Sequence, residues 1–198
     1  MDIYKTFINP KTGEKLVICY DNYAENPRTA GDCNVGEFIV GDRCKYIEGE
    51  SSIRLDLVYR DDDIAALNKN PDVIAYLPVY VYDHSGVCMN TTGFTCPWDS
   101  GQIGWIVCTR ESLRRIGFGG WKHITKKRRE TILEWLRGEV ETYSAYMSGD
   151  TYGFQIIENA DPDDPESGNE IDSCWGYYGD DGIQAIRDEY PEFTEEIA

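Results

Sequence analysis

The first third of the chain alternates short apolar runs with polar, turn-forming segments. Residues 15–20 and 38–40 are rich in β-branched and aromatic side chains, and residues 53–59 alternate apolar and polar positions as a half-buried strand does. Asn, Pro, Gly and Asp collect in residues 21–34, which is typical of turns. Residues 61–63 are all aspartate and begin a predicted short helix, because an acidic first turn suits the helix dipole.

The middle of the chain predicts an antiparallel meander. Residues 73–82 form a continuous apolar run interrupted by Pro78, which indicates a buried strand with a bulge or an edge position at the proline. After a turn at residues 83–86, strands are predicted over residues 87–96 and 104–108.

A long amphipathic helix is predicted over residues 126–147, with Thr125 as its N-cap. Gly138 lies inside it at a cost of about 1 kcal/mol relative to alanine, which suggests close packing against the sheet. The apolar stripe of this helix consists of Ile132, Leu133, Leu136, Val140, Tyr143 and Met147.

The C-terminal part predicts a strand over residues 152–157, a second buried segment over 174–178 and a short helix over 182–190. Trp98 and Trp105 are predicted to pack in the core. This order indicates an α+β fold with a mainly antiparallel sheet, one long helix packed on a face and an acidic C-terminal region. We expect one domain over residues 1–198, of which residues 149–198 are the acidic part.

Charge is distributed unevenly along the chain. The net charge is −17, and residues 149–198 contain fifteen acidic residues against one basic residue, Arg187. A concentrated negative surface repels nucleic acids and anionic membranes and attracts proteins that bind phosphates. The alternative is a solvated acidic tail. The expected partner-binding residues are Asp161, Asp163, Asp164, Glu166, Glu170, Asp180, Asp181, Asp188 and Glu189.

The composition and the N-terminal sequence indicate the cellular compartment. No apolar run approaches the roughly 20 residues that span a bilayer, and the N-terminus lacks a signal-peptide pattern. The seven cysteines are odd in number and have no C-x-x-C spacing, so we expect reduced thiols. The sequence predicts a cytoplasmic protein without a membrane partner.

Five blocks of sequence resemble a family of small proteins carried by bacteriophages, prophages and plasmids. They are YDHSG at residues 82–86, CPWDSGQIGWI at 96–106, GEVETY at 138–143, DSCWGYYG at 172–179 and ENPR at 25–28. The resemblance implies a mobile-element origin in a bacterial host. By analogy it implies counter-defence, namely inhibition of a CRISPR effector or a restriction enzyme.

Two chemical alternatives involve the first two blocks. His84 with Cys96 or Asp99 has the residue types of a nucleophile–base site and would make the protein a small hydrolase. His84, Cys88 and Cys96, with Cys108 or Cys174 as a fourth ligand, could bind zinc. No cofactor is expected, and an enzyme is the less favoured interpretation. The acidic loop formed by Asp161, Asp163, Asp164 and Glu166 lacks the spacing of a calcium-binding EF-hand loop.

The basic stretch of residues 122–129 is the counterpart of the acidic end. Lys126 to Arg129 could contact RNA or DNA in a nucleic-acid-binding accessory protein. Because the chain carries −17, we favour an acidic nucleic-acid mimic and do not expect direct binding to nucleic acid. Pairing of the chain with itself is left open.

Overall fold

The computed structural model describes residues 2–31, 33–41, 44–57, 60–158 and 168–197. They form an α+β fold, as the sequence predicts, with four helices and nine strands in two antiparallel sheets. The chain divides into two compact units: Met1–Asn26 with Ala145–Ala198 form unit 1, and Pro27–Ser144 form unit 2.

Strands and helices are numbered in chain order. The strands are β1 (Ile3–Ile8), β2 (Lys15–Tyr20), β3 (Gly36–Val40), β4 (Val73–Asp83), β5 (Val87–Asn90), β6 (Ser100–Thr109), β7 (Thr151–Glu158), β8 (Asn169–Tyr178) and β9 (Glu195–Ile197). The helices are α1 (Arg60–Lys69), α2 (Arg110–Arg115), α3 (Lys126–Ser148) and α4 (Gly179–Glu189).

Unit 1 is a five-stranded sheet in the order β8-β7-β2-β1-β9. Strands β2 and β7 are its most buried members, because both have a strand on each side. The apolar face of α4 joins this core through Ile186, which is fully buried. The other residues of the core are Phe7, Leu16, Ile18, Tyr152, Phe154, Ile156 and Phe193.

Unit 2 is a four-stranded sheet in the order β3-β6-β4-β5. Alternation along β6 sends Trp105 to one face, where it packs with Leu67 of α1, and Ile106 to the other, where it lies near Leu136 of α3. The buried carboxylate of Asp63 accepts a hydrogen bond of 3.1 Å from Trp105 Nε1. Asp63 therefore fixes the position of the core indole.

Two glycines allow close packing in unit 2. A Cβ atom on Gly104 would lie 2.1 Å from the carbonyl oxygen of Ile39, and one on Gly36 would lie 2.6 Å from Ile106 Cδ1. Gly104 therefore excludes any side chain, because the obstacle is backbone, whereas a side chain at Gly36 would require Ile106 and Leu136 to shift.

Several predicted elements are confirmed. Helix α3 ends one residue beyond its predicted end, and Thr125 Oγ1 accepts the backbone N–H of Arg128 at 3.3 Å. Strand β5 pairs with β4 only from Tyr80 onward, so β4 has one described neighbour at Pro78, and a register shift follows between Val79 and Tyr80. The proline therefore occupies an edge position beside a bulge.

Three strand predictions need correction. Residues 53–57 are irregular, and Leu57 has a φ of 54°, which ends extended structure there. The strand predicted over 87–96 stops at Asn90, whose side chain bonds the backbone of Thr92 and Gly93 in a turn. The meander is also wrong, because β6 pairs with β4 and β3 and does not pair with β5.

Three burial predictions are also wrong. Trp98 is 91% exposed, whereas Trp105 is buried as predicted. Strand β8 lies at the edge of its sheet, so its residues are mostly exposed, including Trp175, whose ring lies over Gly153. Gly138 does not pack against the sheet, because a Cβ atom there would meet nothing within 4 Å.

Candidate functional site

The negative charge of the chain belongs almost entirely to unit 1. This unit has 19 acidic and 4 basic residues, a net charge of −15, whereas unit 2 has 17 acidic and 15 basic residues, a net charge of −2. Unit 1 thus includes the N-terminal strands as well as the acidic C-terminal part.

Five of the nine predicted partner-binding residues are described. Glu170 lies on β8, and the other four lie on α4; all five side chains are exposed. Asp161, Asp163, Asp164 and Glu166 lie outside the described residues. The described members are Glu170, Asp180, Asp181, Asp188 and Glu189.

Helix α4 displays its carboxylates on an ordered support. Ile183 and Ile186 pack against the sheet, and the helical period turns Asp181 and Asp188 toward solvent. The side chain of Gln184 donates a hydrogen bond of 2.7 Å to Asp188 Oδ1. The acids at the start of α4 are also stabilised by the helix dipole.

Strand β8 adds two carboxylates that neutral groups hold in place. Asp172 accepts hydrogen bonds from the hydroxyl of Tyr190 at 2.7 Å and from the backbone N–H of Ser173 at 2.9 Å. Glu170 accepts hydrogen bonds from the side chains of Ser173 and Gln155. These donors orient the carboxylates without cancelling their charge.

The tyrosines under this surface remain neutral donors. Burial, followed by the hydrogen bond to Asp172, raises the pKa of Tyr190 well above its usual value. Burial likewise raises the pKa of Tyr177 to about 12, with smaller contributions from neighbours that include Cys174 and Glu189. A Tyr190 hydroxyl that keeps its proton continues to hold Asp172 at physiological pH.

Basic side chains do not neutralise these acids. The guanidinium of Arg187 donates to the carbonyl of Phe193 at 2.6 Å and lies 3.7 Å from the ring centre of Phe7. Lys5 pairs with Glu196 at 3.2 Å. In the described part of the chain, no ion pair involves the six carboxylates on β8 and α4. We call Asp172, Asp180, Asp181, Asp188 and Glu189, which lie on the α4 side of the sheet, the acidic surface; Glu170 faces the other side.

Asp172 was absent from the residues predicted from the sequence. It follows Glu170 by two positions on β8, but a register shift pairs Glu170 with Ile157 and Asp172 with Ile156, so the two side chains face opposite sides of the sheet and strand alternation could not have identified Asp172.

The predicted nucleophile–base residues do come together, but in the wrong arrangement. Asp99 Oδ2 lies 3.3 Å from His84 Nδ1 and 3.5 Å from Cys96 Sγ. The carboxylate therefore lies between the imidazole and the thiol, whereas general-base activation requires the imidazole to contact the nucleophile. The hydroxyl of Ser100 already forms a hydrogen bond within the turn, because it donates to the carbonyl of Cys96.

Asp83 in the same segment has a structural role. Its carboxylate accepts hydrogen bonds from Lys45 Nζ at 2.8 Å and from the Tyr46 hydroxyl at 2.9 Å. Those hydrogen bonds, first the one from Lys45, lower the pKa of Asp83. Asp83 therefore contributes to the structure of this segment.

No group of three or more His, Cys, Asp or Glu side chains in the described part of the chain is placed to hold a metal ion. His84, Cys88 and Cys96 therefore do not assemble as the zinc ligands considered from the sequence. All seven cysteines are free thiols, and Cys19 and Cys108 are buried.

The basic stretch begins α3 and extends into the loop before it. Lys126 pairs with Glu130 at 3.8 Å, and the guanidinium of Arg128 lies 4.8 Å from the ring centre of Trp121. Lys122, Lys127 and Arg129 are exposed.

Within the residues that the structure describes, none of the helices has the length and apolarity to cross a membrane. Comparisons of the chain with protein-family models, with curated proteins and with solved structures gave no match.

Proposed function

We propose that the protein is a counter-defence inhibitor that binds a nucleic-acid-targeting protein of a bacterial host through the acidic surface. The observation that carries this proposal is that the five carboxylates of the acidic surface are exposed on folded elements, without cationic partners among the described residues. A fixed, unneutralised array of negative charge is what the lysines and arginines of a phosphate-binding channel recognise.

The mechanism requires no bond making or breaking. Each carboxylate takes the place of a phosphate oxygen and accepts hydrogen bonds from guanidinium or ammonium groups of the target. Neutral donors such as Tyr190 already orient the acids, so little conformational entropy is lost on binding. The target then cannot bind its DNA or guide RNA.

We also propose the cytoplasm of a bacterial host as the place where the protein acts. The blocks at residues 82–86 and 96–106 resemble proteins of bacteriophages, prophages and plasmids, which act in the host cytoplasm. A CRISPR effector or a restriction enzyme is accordingly the class of target that we propose.

The experiment is an affinity capture from bacterial lysate with competition. The tagged protein is incubated with lysate, and bound proteins are eluted either with double-stranded DNA or with an RNA duplex. We expect the eluted protein to bind nucleic acid and to lose nucleic-acid binding when the acidic protein is added back.

The matched controls are two charge variants of equal size. The variant D181N/D188N/E189Q neutralises three residues of the acidic surface, and D56N/D61N/D72N neutralises three exposed acids of unit 2. The first should lose capture and the second should keep it. Equal capture by both would show that the acidic surface is not the binding site.

A further inference from the structure

Unit 2 contains an open groove of about 930 Å³. It lies between the segment that follows β2, the end of α2 and the middle of α3. Its volume falls within the roughly 300–1,000 Å³ of small-molecule sites. The apolar part of its lining comes from Pro27, Val35, Ile116, Phe118 and Trp135.

The floor of the groove is formed by Arg28 and Glu139, whose hydrogen bonds are made within the protein. Arg28 donates to Glu139, to both carboxylate oxygens of Glu50, to Asn34 and to the carbonyl of Gly36. Glu139 in turn accepts the backbone N–H of Val35 at 2.6 Å. All five guanidinium hydrogens thus have acceptors, so ligand recognition depends on the walls.

Gly138 opens a slot in the wall formed by α3. It lies in the interior of a 23-residue helix, where glycine costs about 1 kcal/mol relative to alanine. A Cβ atom there would meet nothing within 4 Å, so packing does not require glycine. Trp135 lies one turn earlier on the same helix and also lines the groove.

An aromatic cluster holds Trp135 in place. Its ring centre lies 5.2 Å from that of Phe118 and 6.0 Å from that of Trp121, with an angle of 21° between the two indole planes. Arg128 lies over Trp121. The half-buried indole beside the slot is therefore a rigid surface on which a planar ring can stack.

The charges in the lining of the groove are balanced, with Arg28 and Arg115 against Glu134 and Glu139, and further cationic residues lie in the segment beside it. Residues 110–130 contain eight basic and two acidic residues. Arg115 lines the groove with a side chain that is 43% exposed; its Nη2 donates to the carbonyl of Asn34 at 3.2 Å, and its Nη1 lies 3.6 Å from Glu37. A half-exposed arginine beside an aromatic wall matches a planar base that carries phosphate.

We propose that this groove binds a nucleotide, with the base against Trp135 over Gly138 and the phosphate at Arg115. The proposal is independent of the acidic surface. The sequence-based expectation against nucleic-acid binding depended on the charge of the whole chain, and that charge belongs almost entirely to unit 1.

Binding is measured by quenching of tryptophan fluorescence and by protection of Cys33 from alkylation. Cys33 lines the groove and is exposed, while the exposed Cys88 lies on β5 and serves as the internal control. The probes are adenosine monophosphate, a cyclic dinucleotide and a single-stranded hexanucleotide. Binding of either of the first two identifies a free nucleotide as the ligand, and binding of the hexanucleotide alone identifies a nucleotide within a strand.

Three variants test the pose. G138L fills the slot and should abolish binding without loss of stability, whereas E141L, at an exposed position of α3 outside the groove, should bind normally. W135L should weaken binding on the order of tenfold. R115Q should reduce the preference for adenosine monophosphate over adenosine. Failure of all three probes to bind, or unchanged binding by G138L, would overturn the proposal and would leave the proposed inhibition untouched.

Discussion

The Nη1 atom of Arg28 lies 2.7 Å from Oε2 of Glu139, although the two residues are 111 positions apart. Arg28 belongs to the ENPR block and Glu139 to the GEVETY block. The side chains are 5% and 13% exposed, so the pair is largely removed from solvent. Two of the sequence blocks therefore meet in a structural ion pair that joins the segment following β2 to α3.

Removal of Arg28 should destabilise the protein strongly. In R28M, Glu139 keeps its backbone donors but loses its charged partner, so we expect a loss of about 3–5 kcal/mol in the free energy of unfolding. Urea unfolding of purified R28M measures this loss. The double variant R28M/E139Q should recover part of it, because position 139 no longer carries a buried charge without its partner, and only the more exposed Glu50 remains without Arg28. A loss below about 1 kcal/mol in R28M would show that the network contributes little.

Alanine substitutions at two glycines should have opposite effects. G138A adds a Cβ atom to open space in a helix and should increase stability by about 1 kcal/mol. G104A places a Cβ atom 2.1 Å from the backbone oxygen of Ile39 and should separate β3 from β6. Thermal unfolding of the two variants measures both effects. A destabilised G138A would mean that the slot in the groove is not open.

Unit 1 should lose stability at alkaline pH. Burial, followed by nearby charged and ionisable groups, raises the pKa of Tyr152 to about 12, and burial also raises that of Tyr177 to about 12. An unfolded tyrosine ionises near pH 10. Below that pH both states are protonated and stability is unaffected. Between about pH 10 and about pH 12 only the unfolded state loses its protons, so the free energy of unfolding should fall.

Urea unfolding at a series of alkaline pH values checks this fall. Y152F removes one of the raised groups and should show a shallower decline than the wild type. If the two proteins declined equally, Tyr152 would not be the source of the effect.

The buried thiol of Cys108 should be inert in the folded protein. Burial raises its pKa to about 12, and the side chain is fully buried. At about pH 8 only about one molecule in ten thousand carries the thiolate. Iodoacetamide followed by peptide mass analysis should modify Cys88 and Cys174 and leave Cys108 unmodified until denaturant is added. Rapid native modification of Cys108 would contradict its burial.

Local patterns were sufficient to predict much of the fold. The apolar stripe and N-cap of α3 produce a helix nearly as predicted, since its period and capping are encoded within one segment. The order of the strands was not predictable in this way. Strand β6 is paired with both β4 and β3, and nothing in a single sequence specifies which edge a returning strand joins.

The acidic surface could be predicted from the sequence only where acidic residues fall on the polar face of a periodic element. Acidic residues on α4 are exposed because the helix has one apolar face, which the sequence shows. The prediction of close packing at Gly138 is wrong, because a glycine required for close packing and one beside an open slot look the same in sequence. The separation of Cys96 from His84 by Asp99 depends on turn geometry that residue types do not specify.

The salt dependence of binding to the captured target tests the role of the acidic surface most sharply. We expect affinity to fall steeply with increasing sodium chloride for the wild type and for D56N/D61N/D72N. For D181N/D188N/E189Q we expect weaker binding and a shallower dependence, because three charged contacts are gone. Affinity and salt dependence of D181N/D188N/E189Q equal to those of the wild type would contradict the claim that the acidic surface binds a cationic partner.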